Sequence, residues 1–220
     1  MRQRFDTRRN DRARRNLHRR TFGEIYRHDR WRIGGESASG PGSSLARTAE
    51  LRPALAALLT RLGARSLLDA GCGDFNWMRA AELPVSRYIG VDVVPGVVAR
   101  VRELHGGRGR RFLCRDVTFD RLPRVDVVLC RDCLIHFPDG DVHRAVANFR
   151  RSGSTWLLAT TFESRPVNEP VVLGDWRTVN LEAPPFGFPP PELALDDIPA
   201  QHGDAYLDKR LGLWRLADLG

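Results

Sequence analysis

Residues 66–74 read SLLDAGCGD, and that stretch decides the fold. SLLDA is a short β run, and it breaks at Gly71-Cys72-Gly73. Two glycines there let the backbone turn sharply and approach a ligand with no Cβ in the way. Upstream, TAELRPALAALLTRLG (48–63) spaces Leu51, Leu55, Leu58, Leu59 and Leu62 as an amphipathic helix that Gly63 stops. Pro53 falls near its first turn, where a missing N–H is tolerated. Downstream the chain alternates. FNWMRAAEL (75–83) is compatible with a helix, and YIGVDV (88–93) reads as a second strand. PGVVARVRELHGG (95–107) puts Val97, Val98, Val101 and Leu104 on one helical face. RFLCRDV (111–117) and VDVVLCRD (125–132) are a third and a fourth strand. DVHRAVANFRRSG (141–153) is a helix ending at Gly153, and STWLLATTF (154–162) a fifth strand.

Strand-helix alternation with nearly continuous apolar strands predicts an α/β fold: a doubly wound, mostly parallel sheet with helices on both faces. Beyond residue 162 the period fails. Residues 163–200 are rich in proline and aromatics, which predicts a lid or substrate loop over a cleft. DKRLGLWRLADL (208–219) reads as a final, antiparallel C-terminal edge strand, able to pair with TVNL (178–181).

Charge divides the chain differently. Residues 1–32 hold twelve arginines against Asp6, Asp11, Glu24 and Asp29, a surplus equal to the +8 of the whole chain. Residues 33–220 therefore sum to zero and are expected to form a single domain behind a basic arm. Phe22, Tyr26 and Trp31 cluster at the arm's end, which is expected to pack on the body. Such an arm reads either as a solvated extension or as a polyanion-binding tail. With 42% apolar and 28% charged residues the composition is that of a soluble globular chain. No apolar run approaches a membrane span, and no apolar segment follows the N-terminal charges as in a secretory signal. A cytoplasmic location with reduced cysteines is the expectation, without a membrane partner.

In an open parallel sheet, ligands sit beyond the carboxyl ends of the strands. Four such ends are informative here: Gly71–Gly73, Asp92, Asp116-Val117, and Cys130-Arg131-Asp132-Cys133. An acid at the tip of the second strand suits both hydroxyls of a ribose, and an acid beside a valine suits an adenine amino group and ring face. Taken together, SLLDAGCGDFNWM, YIGVDVV, RFLCRDVT and VDVVLCRDCLIHF resemble the successive cofactor-contacting segments of class I S-adenosylmethionine-dependent methyltransferases, over about residues 48–162. The flanking GESASGPGSSLART and LGDWRTVNLEAPPFGFP resemble a branch of unknown substrate.

The resemblance implies S-adenosyl-L-methionine as cofactor. Asp69, Gly71, Cys72 and Gly73 would lie along its methionine, Asp92 and Val93 at its ribose, and Asp116 and Val117 at its adenine. Cys130 and Arg131 would form the floor beside the sulfonium. The C-x-x-C at 130–133 is then wall and not reagent; a zinc ribbon would need a second such pair. Asp132 and His136 are the candidate catalytic bases, and with no clear third ligand beside them metal is not expected. Trp77, Trp176 and Asn180 are the candidate acceptor contacts, in a roof that also takes in Arg177 and Phe186. An aromatic-rich roof over a neutral body suits a small-molecule or short-peptide acceptor with an O or N nucleophile. The alternatives are RNA or protein recruited by the arginine-rich arm, or a cofactor-binding regulator without catalysis. The fourth strand end lacks the Asn/Asp-Pro-Pro-Tyr/Phe pattern of enzymes that methylate exocyclic base amines.

Overall fold

The computed structural model describes residues 2–198 and 206–220; Met1 of the arm and the last two residues of the expected lid lie outside them. Seven strands form one sheet: β1 Ser66–Ala70, β2 Arg87–Asp92, β3 Arg110–Cys114, β4 Val127–Cys130, β5 Trp156–Phe162, β6 Leu193–Asp196 and β7 Lys209–Arg215. Their order is β3-β2-β1-β4-β5-β7-β6. The first five are mutually parallel, and β7 runs antiparallel to both β5 and β6.

Pleating explains the two-sided core, because successive side chains of a strand point to opposite faces. Leu68 and Val128 join Val142 and Phe149 of α4 (Asp139–Arg151), with Phe22 and Ile25 of α1 (Arg2–Arg27) in the same cluster. Leu67, Val127 and Leu129 face the other way, onto Leu55 and Leu59 of α2 (Leu51–Arg61) and Val98 and Val101 of α3 (Pro95–His105). Helix starts and stops follow local chemistry. Pro95 opens α3 at the position where a missing N–H costs nothing. Asp139 and Asp141 sit in the first turn of α4 and Arg150 and Arg151 in its last, each sign matched to the helix dipole.

Two local expectations are corrected. Residues 75–83 form only a one-turn 3-10 helix, Met78–Ala80: Phe75 at φ 60° stands outside helical backbone at its start, and Ala81 is extended and ends it. Residues 178–181 are not a strand, and β7 lies one place in from the edge, between β5 and β6. Asn180 accounts for this. Its side-chain amide donates to the carbonyls of Glu163 and Arg165, and its backbone N–H donates to Asn168 Oδ1, so the segment is tied into the loop. β6, which alternates half-buried and exposed residues, takes the edge instead.

Candidate active site

The strand order reverses between β1 and β4, and a cavity of about 520 Å³ opens there above the carboxyl ends of the strands. The turn after β1 forms its floor. Gly71 (φ 84°) and Gly73 (φ 52°) both use left-handed backbone. A Cβ on Gly71 would stand 2.9 Å from Cys133 Sγ, and one on Gly73 would run into Ser39 Oγ. Glycine is required at both positions by conformation and by space.

Beside this turn, Asp92 at the end of β2 accepts from Val94 N–H at 2.9 Å and Gly73 N–H at 3.2 Å. Its burial outweighs these donors and lifts its carboxyl to about 6. Asp69 is likewise lifted to about 6 by burial, against a 2.5 Å bond donated by Tyr88. Asp116, past β3, accepts at Oδ1 from Thr118 N–H and Oγ1. Its Oδ2 is buried with no aligned hydrogen-bond donor, although His18 Nδ1 lies 3.0 Å away as an ion-pair partner.

His18 comes from α1 and is 1% exposed. Its Nε2 lies 3.2 Å from Asp141 Oδ2, so the ring bridges two carboxylates. Burial alone would lower its pKa, but the two carboxylates carry it to about 9.

At the end of β4, Asp132 occupies φ 50°, where aspartate is among the few side chains tolerated. Its backbone N–H donates to Thr160 Oγ1 at 2.8 Å. Its Oδ2 lies 2.8 Å from Lys209 Nζ and 3.5 Å from Arg131, and despite burial these cations hold the carboxyl well below the usual range. Lys209 also pairs with Asp197 at 2.9 Å, and Asp197 takes two bonds from the Arg131 guanidinium at 2.8 and 3.0 Å. Arg131 rests 5.1 Å over the ring of Trp77. Two cations and two anions thus form one neutral, largely buried network under the cavity.

His136 follows on a one-turn 3-10 helix, Leu134–His136, stacked on Trp31 with centroids 4.5 Å apart. Nδ1 faces the Asp175 carbonyl at 2.8 Å, and because a carbonyl only accepts, Nδ1 carries the proton and Nε2 the lone pair. Burial depresses the pKa of the ring, against that bond and the Asp132 charge. The same loop is pinned by Gly174 N–H to the His136 carbonyl and by the Arg177 guanidinium to that of Phe137. This brings Trp176 to the cavity rim, edge-on to Tyr206 and Phe162.

Asp69, Gly71, Cys72, Gly73, Asp92, Val93, Asp116, Val117, Arg131, Asp132, His136, Trp77 and Trp176 therefore share one cavity wall. Cys130 and Asn180 do not. Cys130 is fully buried behind the wall, and its thiol partners that of Cys133, which with burial raises the Cys133 pKa. Asn180 ties the loop to itself, Arg177 reaches out to the Phe137 carbonyl and Phe186 packs on His143, and none of the three lines the cavity. The sequence reading passed over His18, Ser39, Asp197, Tyr206 and Lys209. Only Lys209 carried a signal, as the single lysine of an arginine-rich chain.

Residues 67–153 match the family model described as Methyltransferase domain. No curated protein sequence matches the chain. Among solved structures, the N-methyltransferase NodS from Bradyrhizobium japonicum aligns at TM-score 0.51 and 14% identity, over 77% of this chain and 96% of that one. Magnesium protoporphyrin IX methyltransferase from Synechocystis, solved with bound SAH, aligns at TM-score 0.45 and 20% identity. That alignment covers 54% of this chain and 57% of the other, so the chain spans little more than half of that protein. NodS supports the fold, and the matched stretch contains all four strand ends together with the acids Asp69, Asp92 and Asp116. Over residues 67–153 the chain is thus similar to a methyltransferase domain, with no substrate specified by that match.

Proposed function

We propose that the protein transfers a methyl group from S-adenosyl-L-methionine to an O or N nucleophile of a small-molecule or short-peptide acceptor. The observation that carries this reading is the convergence of four strand ends on one cavity at the switch point of the sheet. The residues present fit the cofactor. The Gly71–Gly73 turn leaves room for a backbone-close ligand. Asp92 keeps lone pairs beyond its two backbone donors, which suits a ribose diol. Asp116 Oδ2 is a buried acceptor without an aligned donor, which suits an adenine amino group beside Val117. When bound, the cofactor supplies an electrophilic methyl on a sulfonium leaving group.

What remains for the protein is alignment, exclusion of water and removal of the acceptor's proton. His136 is the proposed base: neutral, with Nε2 as its basic atom. Asp132, tied to Lys209 and Arg131, is too weakly basic for that task and instead fixes the chain between β4 and His136. Trp31, Trp77 and Trp176 give the acceptor flat apolar walls. A second reading, an acceptor carried on RNA, is favoured by one observation only, the guanidinium-rich outer face of α1 beside the cavity.

Calorimetric titration of S-adenosylmethionine and its demethylated product tests the reading. Wild type binds both, and Asp92→Ala loses roughly 2 kcal/mol, about 30-fold, as expected for deleting a charged acceptor. Absence of binding to wild type would overturn the proposal. His136→Gln should leave cofactor affinity unchanged and slow transfer by at least about 100-fold.

A further inference from the structure

A second concavity of about 1010 Å³ lies outside the cavity, between α1 and the length of α3. Six arginines line it: Arg19, Arg20, Arg27, Arg32, Arg79 and Arg100. Its three acids are already engaged. Asp29 accepts from Arg32, Glu36 from Asn76 and the Leu45 N–H, and Asp74 from Ser37 and the Ala38 N–H. Arg19, Arg20 and Arg100 have no ion-pair partner among the described residues. With six arginines against three acids the groove is net positive.

Gly23 is a second observation. It stands inside α1, one turn before the helix ends, on the groove face, where glycine is a poorer helix former than alanine. Among the described residues, no atom beyond its own helix neighbours comes within 4 Å of the Cβ it lacks. Internal packing does not require the glycine, and the space it leaves opens onto the groove. The opposite wall presents Pro95, Val97 and the exposed Leu104.

We infer that this groove binds single-stranded nucleic acid, with phosphates on the arginines and bases against the apolar wall of α3. Guanidinium forks match phosphate oxygens in bidentate fashion, and a positively charged groove that tracks the backbone is the shared element of single-strand sites. A bilayer fits less well, because the apolar side of α1 (Phe22, Ile25) is buried in the core and offers no face for insertion. An acidic peptide would use the charges but not the apolar wall. Tyr26 lines both groove and cavity, so a bound strand would pass beside the methyl-transfer site. The inference goes beyond the methyl-transfer reading and does not depend on it, since binding is measured without cofactor.

The test is fluorescence anisotropy of labelled U12 RNA and dT12 DNA with the full chain, from 20 to 300 mM salt. The expected result is micromolar affinity at low salt with a log–log salt slope near −3, at about −0.7 per phosphate contact. R19A/R20A/R100A should weaken binding at least tenfold and flatten the slope by about 2, with the melting temperature unchanged. R19K/R20K/R100K should retain most of the slope. No binding at 20 mM salt, or equal binding by the alanine variant, would overturn the inference. So would displacement of the oligonucleotide by polyglutamate or by phosphatidylserine vesicles at matched charge, which would make the occupant an acidic protein or a bilayer.

Discussion

His18 shows how much one side chain can tie together. Its imidazolium sits between Asp116, past the end of β3, and Asp141, which also accepts from Arg14 and Arg144. The rings of Phe119 and Phe137 flank it at 5.8 and 5.7 Å. Its folded pKa is raised, from 6.5 to about 9. The stabilisation it lends is therefore fully present below about pH 6.5, shrinks between 6.5 and 9, and is lost above. The whole effect is on the order of 3 kcal/mol. Melting curves from pH 6 to 10 should show a fall across that window in wild type that is absent from His18→Gln. Lys209 is a comparable case. Lys209→Met removes one cation and leaves Asp132 and Asp197 to share Arg131. A cost of about 3–5 kcal/mol is expected for breaking such a buried set, read as a lower denaturant midpoint.

At the scale of elements, α1 is where sequence and structure meet least obviously. Its twelve-arginine region reads as a basic arm with only its end packed on the body, and the helix contributes Phe22 and Ile25 to the core and His18, Phe22 and Tyr26 to the cavity wall. A chain lacking residues 1–32 should melt well below the full-length protein and bind apolar dye at the vacated surface. Its affinity for S-adenosylmethionine should fall at least tenfold. If the truncated chain keeps full stability and cofactor affinity, α1 is no part of the site. The 163–198 loop is held in a different way. It carries little regular structure until β6, and Arg177, Asn180 and Asn168 satisfy backbone carbonyls that would otherwise be buried unpaired.

For the whole molecule, two buried acids dominate the response to pH. Asp69 and Asp92 are both lifted to about 6 by burial beside one cavity. A carboxylate whose folded pKa is raised costs stability once ionised, so the ligand-free protein should gain stability as pH falls from about 6 toward 4. A cationic, diol-bearing cofactor favours the ionised acids, so its affinity should weaken over that same fall. Calorimetry at pH 5 and 7.5 checks the sign, and affinity rising at pH 5 would contradict it. Much of this protein was determined by sequence alone. Apolar strands alternating with amphipathic helices specify a two-faced parallel sheet, because each element must bury its own apolar side. Gly71, Gly73, Asp92 and Asp116 are legible because a strand end has few ways to meet a ligand. Tertiary structure decided the rest. β6 took the edge beside β7 that 178–181 was expected to take, Asp132 became an anchor because Lys209 reaches it across 77 residues, and α1 became a wall. Local periodicity records which face of an element is buried, while long-range ion pairs and register depend on partners distant in the chain.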